Sequence, residues 1–410
     1  MKYNTVVIGG GAAGMCAAIL IKRQLKNAEV LIVETLDRVC KKLIVTGNGR
    51  CNITNKYLQL SSYHGENVNF CHNALTKYGY DFTEAFFESI GVPFYEGVDG
   101  KMYPFSLQAS SVVDALRLEA QRLGVKTENG ILVDKIIPQS SGFSVVHKNG
   151  EFICENVIVA TGGMAGGDKL GCFGAGYKML KELGFSFIPT TSSIVQLVTD
   201  TENIKAINGL KIDAEVSSFV DDKKIRTERG ELLFTAFGIS GPPVLQISRF
   251  AEKLKGNKTV KINMLPDLSY NDVISLLKSR SEALKDRTAE FFFTGLFPKM
   301  IGHTLLKISG IRLTTPVADF TDRDIRSLAE SINKFTLTIF GTKGLLNAQV
   351  TAGGISTKDF DDTTMESKKY KGLYAVGEVL DIDGDCGGFN LQWAWSSAAC
   401  AAEGIVKKYI

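Results

Sequence analysis

Apolar residues Val6-Val7-Ile8 break at Gly9-Gly10-Gly11-Ala12-Ala13-Gly14, and a second apolar run, Val30-Leu31-Ile32-Val33, ends in Glu34. The residues between them predict a helix from about Ala12 to Gln24. Residues 5–34 therefore read as strand, glycine turn, helix and strand, a right-handed βαβ unit. Ser111 with Asp114 has the spacing of a capping box for a helix ending at Gly124. Residues 131–159 hold three short apolar strands, broken at Ser140-Ser141-Gly142 and Asn149-Gly150, and the last runs into Ala160-Thr161-Gly162-Gly163.

After about Pro189 the pattern turns β-like. Ala214 to Phe219 and Lys224 to Phe234 flank an Asp221-Asp222 turn, and Leu245-Gln246-Ile247 reads as a further strand after Pro242-Pro243. Residues 269–332 are helical in pattern. Ser269 with Asp272 and Thr321 with Asp324 have capping-box spacing, and Ile325, Leu328, Ala329 and Ile332 form one apolar stripe. From Thr336 the chain is β-like again and leads to Gly372-Leu373-Tyr374-Ala375-Val376-Gly377-Glu378. The simplest organisation is a discontinuous nucleotide domain, about 1–190 plus 354–410, interrupted by a β-plus-helical insertion over about 191–353, helical from about 266 to 334.

Composition narrows the classes. The chain has 410 residues, 44% hydrophobic and 22% charged, which predicts two or three globular domains. A net charge of +3 without a basic block argues against a nucleic-acid partner. Eight cysteines without a CxxC pair read as reduced thiols of a cytoplasmic protein, and no apolar run approaches a membrane span. The four histidines, at positions 64, 72, 147 and 303, lack metal-ligand spacing and are expected in surface or structural roles. No metal site is expected.

The glycine turn carries the first chemistry. Gly9, Gly11 and Gly14 satisfy G-x-G-x-x-G between strand and helix, where backbone amides, including those of Ala12 and Ala13, meet a pyrophosphate. Glu34 lies 20 residues beyond Gly14, the spacing of an acid on a ribose hydroxyl, with Thr35 beside it. Thr161-Gly162-Gly163 and Gly377-Glu378 each follow a buried strand and would add turns at the same carboxyl edge of a parallel sheet. Phe389-Asn390-Leu391-Gln392 opens an Ala/Ser-rich helix whose N-terminal dipole would stabilise negative charge on a reduced isoalloxazine. A dinucleotide held from both ends of the chain points to FAD. Lys42, Arg50 and the amides near Cys51 and Asn52 are candidate contacts from the loop after Glu34, Asp381 is assigned to the ribityl side, and Val133 completes the candidate set. Trp393 and Trp395 are expected in the core or at a domain interface.

Four linked motifs resemble the bacterial BaiN/YhiN-type flavoproteins: Gly47-Asn48-Gly49-Arg50-Cys51-Asn52-Ile53-Thr54-Asn55, Leu233-Phe234-Thr235 with Gly238-Ile239-Ser240-Gly241-Pro242, Val350-Thr351-Ala352-Gly353-Gly354, and Gly377 to Gly384 with Gly387-Gly388-Phe389-Asn390. The resemblance implies an α/β FAD-binding Rossmann-like domain of the glutathione-reductase type. It also implies an inserted β-barrel, about 191–265 and 335–353, plus a helical part. Ala236 stands where the family usually has histidine, and Lys101 where it often has arginine.

The resemblance implies an FAD-dependent reductase in which NAD(P)H, a transient donor, supplies hydride through flavin to an electron-poor C=C bond of a small enone or steroid-like substrate. Lys101 and Tyr103 are the candidates for polarising that substrate or donating a proton, with a surface-loop role as their alternative. An amine or amino-acid oxidase that uses oxygen is the competing reading. A disulfide reductase is disfavoured because Cys40 and Cys51 are not held in a close motif.

Overall fold

The computed structural model describes residues 2–410. Contacts divide the chain into two compact units, one running up to Ser192 and resuming as Leu345–Ile410, the other spanning Ser193–Gly344.

The main sheet of the first unit contains β1 (Lys2–Ile8), β2 (Val30–Glu34), β3 (Lys126–Asn129), β4 (Val133–Gln139), β5 (Gly142–His147), β6 (Gly150–Val159) and β7 (Leu373–Ala375). Its order is β3-β2-β1-β6-β5-β4, with β7 also paired to β6. β1 runs parallel to β2 and β6, and β6 parallel to β7, whereas β4, β5 and the start of β6 form an antiparallel meander. Val6, Val7, Leu31, Ile32, Val157 and Ile158 are fully buried, as expected of parallel strands covered on both faces.

Helix α1 (Ala12–Gln24) packs against the C-terminal helix α2 (Phe389–Val406). Both bury many small residues, among them Ala17, Ala18, Ala398 and Ala401, which is what close helix approach requires. Trp393 and Trp395 lie in this unit's core, and their indole N–H groups donate to Gly377 O (3.1 Å) and Ile53 O (3.0 Å). Burial opposes ionisation of Glu403, near the end of α2. Hydrogen bonds from Lys77, Lys407 and Tyr78 nevertheless hold its carboxyl down at about 2.

The second unit is built on the closed barrel that the resemblance implied. Its strands follow the order Leu197–Thr199, Gly238–Ser240, Lys223–Thr235, Lys211–Val220, Lys258–Asn263 and Phe335–Thr342, the last pairing back to the first. Asp221 and Asp222, at φ 47° and 62°, make the hairpin turn, a backbone that aspartate tolerates better than most residues. Helices Tyr270–Ala283 and Asp322–Asn333 begin in complete capping boxes at Ser269 and Thr321. Ile325, Leu328, Ala329 and Ile332 are buried along one face.

Three local expectations are corrected. Leu245-Gln246-Ile247 belongs to a short helix, Pro242–Ile247, because proline in the first turn suits the helix start. Ser111 does not cap its helix, which starts at Ala109; its hydroxyl lies inside the first turn and donates to Gln108 O. Val350–Ile355 does not extend the barrel to 353 but pairs with Phe187–Ser193. The chain therefore rejoins the first unit at Leu345.

Truncating the fully buried indole in Trp395→Ala is expected to lower stability by about 3–5 kcal/mol in chemical unfolding. The depressed Glu403 carboxyl stabilises the fold above about pH 4.5, and this contribution disappears as pH falls toward about 2. Unfolding titrations across that window should show a shallower loss of stability in Glu403→Gln than in the parent.

Candidate functional site

The parallel register aligns Ile8 with Val33 and with Val159, and Val159 with Ala375. The turns that leave these strands, Gly9–Gly14, Glu34–Thr35, Ala160–Gly163 and Val376–Glu378, therefore emerge at one carboxyl edge, where open α/β sheets bind ligands. A Cβ on Gly9 would lie 2.5 Å from Ala160 O, and one on Gly14 would lie 2.0 Å from Gly9 O, so these two glycines are required by backbone contact. Gly11 differs, because a Cβ there would meet no protein atom within 4 Å. Protein packing does not demand that glycine, whereas a pyrophosphate against the turn would.

Gly11 is the N-cap of α1 and offers no side-chain cap, and no acid occupies the first turn that contains Ala12 and Ala13. The helix start keeps donors and a positive dipole end for an anion. Glu34 is oriented by two amides, Gly10 N (2.8 Å) and Leu36 N (2.9 Å). Ile131 N donates to Glu34 O (3.0 Å), and Val133, two residues on, is buried where β4 begins beside His147.

Lys42 reaches across the chain to Glu378, Nζ to Oε2 2.7 Å, while the other Glu378 oxygen accepts from Thr351 N (2.7 Å). Burial opposes the Lys42 charge, but the adjacent carboxylate outweighs it and raises the ammonium above its ordinary value. Thr351 Oγ1 in turn accepts from Met164 N and Ala165 N, which fixes the turn after Gly163. Thr161 Oγ1 and Asn52 Oδ1 are buried with no protein partner. Buried polar atoms normally have one, so both are suited to a ligand.

The start of α2 is also uncapped by side chains and free of acids in its first turn. Its approach is fixed by Asn390, whose amide holds Gly384 N and O, and by Phe389, packed edge-on against Tyr63. Beside it, Asn55 Nδ2 donates to Gly387 O (3.0 Å), and a Cβ on Gly387 would lie 3.7 Å from Lys101 Cε. The Arg50 guanidinium sits 5.2 Å from the Tyr103 ring centroid. Lys101 thus lies near this helix start, while Arg50 packs on Tyr103, two residues further along the same strand.

These donors and contacts fit a dinucleotide cofactor with a flavin head. A family model described as "HI0933-like protein Rossmann domain" matches residues 3–404. The chain belongs to this family. It is accordingly an FAD-dependent oxidoreductase, the class implied by its four motifs. It is 36% identical over 405 residues to the 3-dehydro-bile acid delta(4,6)-reductase of Clostridium scindens, covering 98% of each chain. It is 30% identical over 409 residues to the ribosomal RNA dihydrouridine synthase of Escherichia coli, covering 99% of each. Among solved structures, the 3-ketosteroid-delta4-(5alpha)-dehydrogenase of Rhodococcus jostii RHA1 shares the fold, with TM-score 0.51 at 14% identity over 99% of this chain and 97% of that one.

Several expected contacts have other work in this family member. All the hydrogen-bonding capacity of Gln392 is used internally: Oε1 accepts from Thr54 and Thr83, and Nε2 donates to Tyr78 O and Ser396 Oγ. Its side chain locks α2 in place and is not free for a cofactor. Cys51 N is taken by Thr46 O (3.1 Å), and burial pushes the Cys51 thiol up to about 12. Cys40 and Cys51 are both free and buried, which leaves no thiolate pair for disulfide exchange. Asp381 accepts from Glu66 N (2.8 Å). Leu391 lies half-buried in the first turn of α2.

Other groups carried no local signal in the sequence. His64 Nε2 lies 2.8 Å from Asp385 Oδ1, in the short ladder that pairs His64 with Asp383. In the second unit, Thr235 Oγ1 and Gln196 Oε1 are buried without a partner, one of them adjacent to Ala236.

Gly11→Leu separates a ligand requirement from a packing one. Its thermal unfolding midpoint without cofactor is expected to stay close to the parent's, while FAD affinity falls at least about tenfold. Flavin absorbance after equilibrium dialysis measures the second quantity.

Proposed function

We propose that the chain uses FAD and NAD(P)H to reduce a C=C bond conjugated to a carbonyl in a small enone of steroid-like type. The observation that supports this most is the uncapped start of α1 at a sheet edge that it shares with Glu34 and the Gly377-Glu378 turn, in a chain 36% identical to a 3-dehydro-bile acid delta(4,6)-reductase. Gly9 to Gly14, with Ala12 and Ala13, would hold the pyrophosphate. Glu34, Thr35 and Val133 would hold the adenosine half, and Lys42, Asn52, Thr161 to Gly163, Gly377, Glu378 and Asp381 the remainder. Bound there, FAD supplies hydride to the carbon β to the carbonyl.

The protein's own part is to accommodate charge and supply a proton. Hydride addition moves an electron pair onto the carbonyl oxygen, where a cation or hydroxyl stabilises it. Lys101, whose stem lies against the Gly387 turn, is assigned this role, with Arg50 holding the Tyr103 ring. The Tyr103 hydroxyl is assigned the proton that completes the α carbon. The amides at the start of α2 would favour negative charge on the reduced cofactor.

A second reading keeps the chemistry and changes the substrate. The uracil C5=C6 bond is also conjugated to a carbonyl, and two ribosomal RNA dihydrouridine synthases are 30% and 32% identical to the chain over nearly its full length. The chain's scattered charge and net +3 favour the small enone.

Under anaerobic conditions NADH or NADPH should bleach the bound flavin, and a conjugated steroid enone should restore its absorbance. Bleaching by amines but by neither nicotinamide would overturn the reductase. Reoxidation by a ribosomal RNA transcript but by no free enone would transfer the substrate to the uracil ring. Tyr103→Phe is expected to lower kcat by about 10²-fold with little change in KM.

A further inference from the structure

The first unit holds a titratable pair outside the roles assigned to Lys101, Tyr103 and Arg50. Tyr63–His64 forms a short antiparallel ladder with Asp383–Gly384, and the chain on either side is tied along the same stretch: Asp385 N donates to Ser62 O (2.8 Å) and Glu66 N to Asp381 Oδ2 (2.8 Å). Gly65, at φ 154°, approaches so closely that a Cβ would lie 2.3 Å from Asp381 O. This stretch leads directly into α2. Tyr63 Oη donates to Phe389 O (3.2 Å), and the Asn390 amide, in the first turn of α2, donates to Gly384 O (2.7 Å) and Asp385 O (3.3 Å). His64 and Asp385 are thus fixed from both sides, with Asp385 three residues before the N-cap Gly388.

His64 Nε2 lies 2.8 Å from Asp385 Oδ1. An ionised carboxylate only accepts, which assigns the hydrogen to Nε2 and leaves the lone pair of the neutral ring on Nδ1. Among the described residues Nδ1 has no hydrogen-bond partner, and it is not shut off from solvent, the side chain being 25% exposed. It is a basic nitrogen that water reaches. Asp385, only 9% exposed, is the shielded partner that would hold the protonated ring by a charge-assisted hydrogen bond. The other charged groups along this stretch are Asp381 and Asp383 on the opposing segment, Glu66 on the same segment as His64, and Lys101 beyond Cys386. Burial raises both the Tyr63 hydroxyl and the Cys386 thiol, so neither carries charge. The imidazole is the side chain whose charge ordinarily changes between about pH 5 and 8.

We propose that His64, held by Asp385, is the charge-compensating residue of the flavin site: its Nδ1 takes a proton from solvent when the cofactor is reduced and returns it on reoxidation. The inference rests on the FAD reading. Two-electron reduction by the nicotinamide donor leaves negative charge at the start of α2, and a negative charge nearby favours the imidazolium over the neutral ring. By linkage, the protonated ring favours the reduced cofactor to the same degree. The only bond made and broken at His64 is Nδ1–H, and the electrons come from NAD(P)H. Lys101 and Tyr103 keep their parts on the substrate, while His64 answers the charge that stays on the cofactor between the two half-reactions.

The midpoint potential of the bound flavin, measured against reference dyes from about pH 5 to 8 in full-length, FAD-loaded protein, tests this. The parent should take up more protons per two electrons than His64→Gln, by as much as about one, so its potential should fall more steeply with pH. Glutamine keeps a donor for Asp385 and does not protonate, so FAD affinity and the unfolding midpoint of His64→Gln should stay close to the parent's. Asp385→Asn, which keeps an acceptor and removes the charge, should move the steep range to lower pH. A parent slope no steeper than that of His64→Gln, or a steep range that Asp385→Asn leaves in place, would overturn the proposal with the FAD reading intact. A parent that binds no FAD would overturn both.

Discussion

The rest of the structure depends on the parallel pairing of β6 with both β1 and β7. Val157, Ile158 and Val159 are bonded on one side to Val6, Val7 and Ile8, and on the other to Leu373, Tyr374 and Ala375. One short strand thus brings the two ends of a 410-residue chain to one edge. Without it the glycine turn of α1 and the Gly377-Glu378 turn would not share that edge. The closeness is visible at Gly377, where a Cβ would lie 3.2 Å from that of Ala13.

The intervening unit is compatible with this closure because its exit and return are tied together. Phe187–Ser193 and Val350–Ile355, which flank it in the sequence, pair in a two-stranded ladder. Loop-closure entropy rises only logarithmically with length, so a large folded insertion between two paired strands costs little more than a modest one. The barrel supplies its own core around Val216, Leu232, Phe234 and Ile262, and owes none of that burial to the parallel sheet.

Local signals were legible wherever the physics acts over a few residues. The bounds of α1 and β2, the Asp221-Asp222 turn and two capping boxes follow from glycine spacing, left-handed tolerance and reciprocal hydrogen bonds within one helical turn. Where two local rules competed the reading slipped. Ser111 has capping spacing, but the backbone had already entered the helix at Ala109, and Pro242-Pro243 started a helix where a strand was expected.

The sequence by itself pointed to the cofactor class, through G-x-G-x-x-G with Glu34 twenty residues on, the late Gly-Glu turn and the motifs that resemble the family. Tertiary structure decided how individual side chains are used. Lys42 meets Glu378 across 336 residues, Gln392 spends both ends of its amide on Thr54, Thr83, Tyr78 and Ser396, and His64 finds Asp385. Periodicity reports which face a residue occupies, not which distant partner will satisfy its polar atoms. That choice is made only when separate segments are buried together and every shielded donor and acceptor must find a mate.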